Sequence, residues 1–214
     1  MPLSPDTRNL IITGVGGQGN VLISQLIAQA LIGKGYFVTI GETYGASQRG
    51  GAVMSHIRIS KKKPLSPLIP KHCGDLLLAL EPVEAIRVLA EFGHPKVVAL
   101  VNTRPIYPVD VIAGEDDYPS MERIEKHLAR LARRTYYIRA TKRASEMGRP
   151  ILSNMIMTGA LLALNLLPLS RAEFIETIAD SFDRKHLEMN VLALEEGGRL
   201  IRESGPMEGI PLGL

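Results

Sequence analysis

Residues 9–35 read NLIITGVGGQGNVLISQLIAQALIGKG, an apolar run, a cluster of glycines and a helix-like stretch in immediate succession. The spacing Gly14, Gly16, Gly19 fits the G-x-G-x-x-G pattern. Its first glycine allows a tight turn, its second admits a pyrophosphate and its third lets helix and strand approach. A strand-to-helix junction of this kind predicts an α/β fold and presents N–H groups at a helix N-terminus, where anions bind. Glu42, at the end of the second predicted strand, stands where a ribose-binding acid sits in dinucleotide enzymes. Two readings therefore stand side by side: a nucleotide site, or glycines that only permit close packing. A P-loop is excluded, because no Lys-Ser/Thr pair follows the glycines.

Outward from this stretch, short runs rich in Ile, Val and Leu recur at 10–13, 37–40, 75–80, 96–101 and 135–138, with helix-patterned segments between most of them. That alternation predicts a Rossmann-like, mainly parallel sheet flanked by helices. In VMSHIRIS, residues 53–60, Val53, Ser55, Ile57 and Ile59 point one way and Met54, His56, Arg58 and Ser60 the other. The pattern predicts a strand towards an edge of the sheet with one wetter face. Helices are predicted over 82–91 and 121–134, the latter opened by Pro119 and Ser120 and closed by basic residues. After Pro150 the composition turns helical, with three segments separated by Pro168 and Asp183. The first, 151–167, is apolar around most of its circumference and so predicts burial on several sides. The organisation expected is one α/β domain over 1–214: a sheet-containing part to 150, a helical part over 151–203 and an irregular tail over 204–214.

With 214 residues and 45% hydrophobic content the chain is long enough to bury a sizeable core. Lys and Arg number 25 against 22 Asp and Glu, for a net charge of +3, which does not demand a nucleic-acid partner. The single cysteine, Cys73, has no internal disulfide partner and cannot supply a cysteine-ligated zinc site or the four thiolates of an iron–sulfur cluster. No apolar run reaches the roughly 18 residues of a membrane span, and MPLSPDTRN lacks the regions of a signal peptide. A reducing cytoplasm is the expected compartment, with no membrane contact.

A second constellation, ETYGASQRGGAVMSHIRIS at 42–60, places Tyr44, Ser47, Gln48, Arg49 and Gly50-Gly51 between two predicted strands. Arg49 beside glycines has the geometry to hold an anion bidentately, with Gln48 and Ser47 as neutral donors. A surface hairpin with a solvated arginine is the plainer alternative. His56, His72, His94, His127 and His186 are scattered without metal-ligand spacing, so no metal site is expected. Cys73 reads as an ordinary buried cysteine. Asp75 and Glu81 flank the LLLAL strand, and Glu81 is expected to line an interface.

GVGGQG with its helix, ETYGASQRGG leading into VMSHIRIS, then GDLLLALEP and NMIMTGAL together resemble the gamma-type chains of 2-oxoacid:ferredoxin oxidoreductases. Within that family they are most similar to the small subunits of its indolepyruvate branch. The resemblance runs from about Asn9 to Arg199; Ala46 and Asn20 depart from the pattern but leave the glycines and Gln48-Arg49 intact. It implies a heteromeric enzyme that oxidatively decarboxylates a 2-oxoacid, captures the acyl group on coenzyme A and passes electrons through iron–sulfur clusters to ferredoxin. Thiamine diphosphate, magnesium and the clusters would sit on a larger catalytic subunit, since this chain has no cysteine set and GDLL at Gly74 lacks the magnesium–thiamine diphosphate pattern. No catalytic residue is then expected on this chain. Gly14, Gly16, Gly17, Gln18, Gly19, Ser47, Gln48 and Arg49 become candidates for a coenzyme A phosphate site or an interface. A self-sufficient NAD- or FAD-binding oxidoreductase is the alternative, and a nucleotide-sensing module a third reading.

Overall fold

β1 (Thr7–Val15) is buried from Asn9 to its end, and α1 (Asn20–Gly33) follows it directly across the glycine loop. The computed structural model describes residues 7–45 and 51–210. After α1 come β2 (Phe37–Tyr44), β3 (Ala52–Ser60) and β4 (Leu76–Ala79). Then follow α2 (Pro82–Phe92), β5 (Val98–Asn102), α3 (Val109–Ala113), α4 (Met121–Leu131), β6 (Arg134–Ile138) and α5 (Ala140–Glu146). A short 3-10 turn (Pro150–Leu152) leads into α6 (Ser153–Ala163), α7 (Arg171–Ala179), α8 (Arg184–Ser204) and β7 (Met207–Glu208).

The strands form one seven-stranded sheet in the order β2-β3-β1-β4-β5-β6-β7. β1, β4, β5 and β6 pair in parallel, while β3 runs antiparallel to both β1 and β2, and β7 antiparallel to β6. β2 therefore points the same way as the parallel strands, and the sheet is the mainly parallel, helix-flanked arrangement expected. Alternation along each strand sends side chains to two cores. Leu10, Ile12, Leu76, Leu78 and Leu100 pack with Ile23, Ile27, Met155 and Leu194 on the face of α1, α6 and α8. Ile11, Leu77, Ala99 and Val101 pack with Val88, Leu89, Ile124 and Leu128 on the face of α2 and α4.

Local signals explain several of the helix starts. Ser120 accepts the Arg123 amide at 3.3 Å, and Asp183 accepts the His186 amide at 2.9 Å. Ser170 and Glu173 form a reciprocal capping box. α6 is buried on nearly all sides, as its composition implies, and it crosses α8 closely: a Cβ on Gly159 would meet the Leu194 carbonyl, and one on Gly197 the Ile156 carbonyl.

β3 lies towards an edge as expected, one strand in from the outermost β2. Two expectations need correction. β3 has no wet face, since Met54, His56, Arg58 and Ser60 are all buried. Arg58 tolerates this by donating to Asn9 Oδ1, to Ser66 Oγ and carbonyl, and to the Leu68 carbonyl, so the segment after β3 covers that face. The tail is not wholly irregular, because Met207–Glu208 pairs with β6 and the Gly209 and Ile210 amides donate to the Arg133 and Ala129 carbonyls.

Candidate functional site

The glycine loop lies where β1 ends and α1 begins. Gly14 is still in register with Val53 of β3. Gly17 and Gly19 have φ of +96° and +86°, a left-handed backbone that disfavours any other residue. The loop is filled by its own glutamine: Gln18 Oε1 accepts the Val15 amide at 2.7 Å, and Gln18 Nε2 donates to the Leu80 carbonyl at 2.9 Å. A Cβ on Gly14 would displace the Gln18 carboxamide and crowd Leu80 Cβ. A Cβ on Gly19 would displace the Asn154 carboxamide, whose nitrogen also donates to the Gln18 carbonyl at 3.4 Å.

Several donors that a phosphate would use are thus already engaged. The Val15 amide goes to Gln18 Oε1, the Gln18 amide to Val15 O at 3.2 Å and the Gly16 amide to Gly51 O at 3.0 Å. α1 begins on Gly19 without a side-chain cap, so its first N–H groups are the donors left for a ligand. Glu42 does not occupy a ribose-binding position. It accepts from Ser24 Oγ at 3.0 Å and Ser55 Oγ at 2.7 Å, and β3 separates its strand from β1. The dinucleotide reading loses its acid, and the packing role of the glycines gains two named contacts.

Ser47, Gln48 and Arg49 lie outside the described residues. The base of their hairpin is described: the Gly45 amide donates to Ala52 O at 2.7 Å, and the Gly16–Gly51 bond joins the hairpin to the glycine loop. The base of the hairpin is a neighbour of the glycine loop.

The same end of the sheet holds a crevice of about 630 Å³ between Val15, Glu81, Tyr118 and the segment around α3. It lies at the carboxyl ends of β1 and β4, where α1 and α2 leave to opposite faces, the usual ligand position in open α/β sheets. Glu81 is 2% exposed and ties the crevice together. Its Oε2 accepts the Glu84 amide at 2.9 Å, capping α2, while Oε1 accepts the Tyr118 hydroxyl and, at 3.4 Å, the Ile106 amide. Burial pushes its pKa up and these hydrogen bonds only partly restrain it; Tyr118 is pushed up by burial and by its bond to Glu81. Asn102, at the end of β5, donates to Leu80 O at 3.1 Å and to Thr141 Oγ at 2.8 Å, so strand ends β4 to β6 are stitched together.

Asp75 is not part of this arrangement. It sits at the opposite end of β4, accepting the Asn9 amide at 2.8 Å beside His94, in a cavity of about 760 Å³ that also touches Arg8, Lys96 and Arg133. His56 is a core residue: its Nδ1 accepts the Ile69 amide, its ring meets Phe92 edge-on and burial pushes its pKa down. Among the described residues no group of His, Cys, Asp and Glu could hold a metal ion, and no helix is long and apolar enough to cross a membrane. Sequence reading missed Tyr118 and Asn102. A polar residue closing the VALVN run marks Asn102, whereas nothing local marks Tyr118.

Residues 9–200 match the family described as pyruvate ferredoxin/flavodoxin oxidoreductase. The indolepyruvate oxidoreductase subunit IorB of Archaeoglobus fulgidus is 34% identical over 189 residues, covering 88% of this chain and 92% of that protein. Among solved structures, the gamma subunit of a keto/oxoacid ferredoxin oxidoreductase from Geobacter sulfurreducens superposes with a TM-score of 0.66 at 22% identity, covering 92% of this chain and 99% of that one. A 2-oxoglutarate:ferredoxin oxidoreductase from Magnetococcus marinus, solved with 2-oxoglutarate, coenzyme A and succinyl-CoA, gives 0.74 at 22% identity, covering 96% of this chain and 32% of that one. The two structures share the fold, and the sequence match carries the family. With the family match running over residues 9–200 and the 34% identity spanning 88% of the chain, the chain belongs to the pyruvate ferredoxin/flavodoxin oxidoreductase family.

Proposed function

We propose that this chain is the non-cofactor-bearing small subunit of a heteromeric 2-oxoacid:ferredoxin oxidoreductase acting on indolepyruvate or another aryl or branched 2-oxoacid. The reaction releases carbon dioxide, transfers the acyl group to coenzyme A and delivers the electrons to ferredoxin. The 34% identity to a subunit named for indolepyruvate oxidoreductase, over 88% of the chain, carries this reading. Thiamine diphosphate, magnesium and the iron–sulfur clusters belong to the larger catalytic subunit, in keeping with a sequence that holds one cysteine. The uncapped start of α1, together with Ser47, Gln48 and Arg49, meets either a coenzyme A phosphate or that subunit. The assembled enzyme works in the cytoplasm.

The test is 2-oxoacid- and coenzyme A-dependent viologen reduction by the purified chain, alone and with its large subunit. The chain alone is expected to be silent and the pair active, fastest with indolepyruvate. Turnover by the chain alone, or flavin or nicotinamide in its absorbance spectrum, overturns the division of labour. A preference for pyruvate or 2-oxoglutarate overturns the substrate assignment.

A further inference from the structure

Large apolar side chains crowd one end of the molecule. Leu22 lies in the first turn of α1 and Tyr44 closes β2. Tyr107, Val109 and Ile112 lie in the segment that follows β5, and Ile151 in the turn before α6; all are exposed. Because β1, β2, β4, β5 and β6 point the same way, these residues share the rim at the strand carboxyl ends, around the glycine loop and the Glu81 crevice. Single exposed apolar residues are ordinary, but a rim of them is the mark of an interaction surface.

α3 sharpens the point. It has no buried residue, and its Val109 and Ile112 are 75% and 73% exposed. So short a helix gains little from its own hydrogen bonds and normally depends on packing an apolar face. What holds the segment here is at its ends: Tyr107 stacks edge-on with Tyr118, which donates to Glu81. The element is thus positioned, while its apolar side faces outward. Residues 109–117, VDVIAGEDD, also carry Asp110, Glu115, Asp116 and Asp117 with no Lys or Arg, on a chain whose net charge is +3. Among the described residues none of these carboxylates forms an ion pair.

We propose that the large catalytic subunit docks on this carboxyl-end rim, with α3 as the principal contact and a basic, apolar-flanked segment of that subunit set against residues 109–117. An apolar centre fringed by one sign of charge fits a partner surface of the opposite sign, which speeds and orients association. The proposal rests on the reading that the chain works with a large subunit, and it puts the glycine loop inside the interface.

The test co-expresses the chain with its large subunit and compares four forms: wild type, Val109→Asp with Ile112→Asp, Asp110→Lys with Asp116→Lys, and the control Ile32→Asp. Ile32 is equally an exposed apolar residue but sits at the far end of α1. The Val109→Asp, Ile112→Asp variant is expected to fold as the wild type when isolated and to bind the large subunit at least about tenfold more weakly, while the control binds normally. Raising ionic strength is expected to slow association of the wild type more than that of Asp110→Lys with Asp116→Lys. The proposal is overturned if the Val109→Asp, Ile112→Asp variant assembles as tightly as the wild type. It is also overturned if the rim instead mediates self-association, seen as a wild-type dimer that this variant abolishes without loss of large-subunit binding. If the wild type itself binds no large subunit, the proposed function falls and takes this docking surface with it.

Discussion

The carboxamide nitrogen of Gln18 donates to the carbonyl of Leu80 at 2.9 Å, fastening the glycine loop to the end of the neighbouring strand β4. The same carboxamide accepts the Val15 amide, so one side chain holds both flanks of the glycine loop. Gln18→Ala leaves the Val15 donor without its partner and is expected to cost about 1–3 kcal/mol. Urea denaturation of the isolated chain measures this. An unchanged midpoint would show that the loop keeps its shape without the glutamine.

Gly17 and Gly19 are both left-handed but have different neighbours. A Cβ on Gly17 meets nothing, so Gly17→Ala is expected to cost only the backbone strain, about 1–2 kcal/mol. Gly19→Ala adds a collision with Asn154 and is expected to cost more. Adding Asn154→Ala should relieve part of the Gly19→Ala loss and none of the Gly17→Ala loss, which a double-mutant cycle on thermal unfolding reads directly.

Adjacent glycines in α8 are expected to respond with opposite signs. Gly197→Ala, facing the Ile156 carbonyl, must push α6 and α8 apart and is expected to destabilise by at least about 1–3 kcal/mol. Gly198→Ala meets only the Arg202 side chain at 3.5 Å and Ala163 Cβ at 3.8 Å, and should stabilise by about 0.5–1 kcal/mol through helix propensity. Melting temperatures that move together would refute the close crossing.

Glu81 makes stability depend on pH in a stated direction. Its pKa is raised in the fold above the ordinary 4.5, so the folded state binds its proton more readily than the unfolded chain. The stability it contributes is full below the unfolded value and is lost as pH rises through the folded one. The wild type is therefore expected to lose stability relative to Glu81→Gln as pH is raised above 4.5. Denaturation of both proteins across that range decides it, and a constant difference would mean that the Glu81 carboxyl binds its proton equally in the folded and unfolded states.

Much of the fold was legible because its signals are local. The apolar run of β1, the glycines at its end and the periodicity of α1 lie within one stretch of chain, where steric limits and side-chain alternation act directly. The same holds for Ser120 and Asp183 as helix starts. Alternation in β3 correctly separates Val53, Ser55 and Ile57 from Met54, His56 and Arg58, yet it misleads about solvent. Period tells which residues share a face, while what covers that face depends on a segment folding back over it.

The candidate site divides along the same line. Sequence alone determined the glycine turn and the mainly parallel sheet, which follow from residue type at short spacing, and its similarity to relatives over most of the chain determined the family. Tertiary structure alone decided that β3 inserts between β1 and β2 and parts Glu42 from the loop. It also decided that Gln18 reaches Leu80, that Asn154 packs on Gly19, and that Tyr118 meets Glu81. Those pairs are distant along the chain. Their meeting is set by strand order and by which helix crosses which, and these follow from the burial of the whole core rather than from any one stretch.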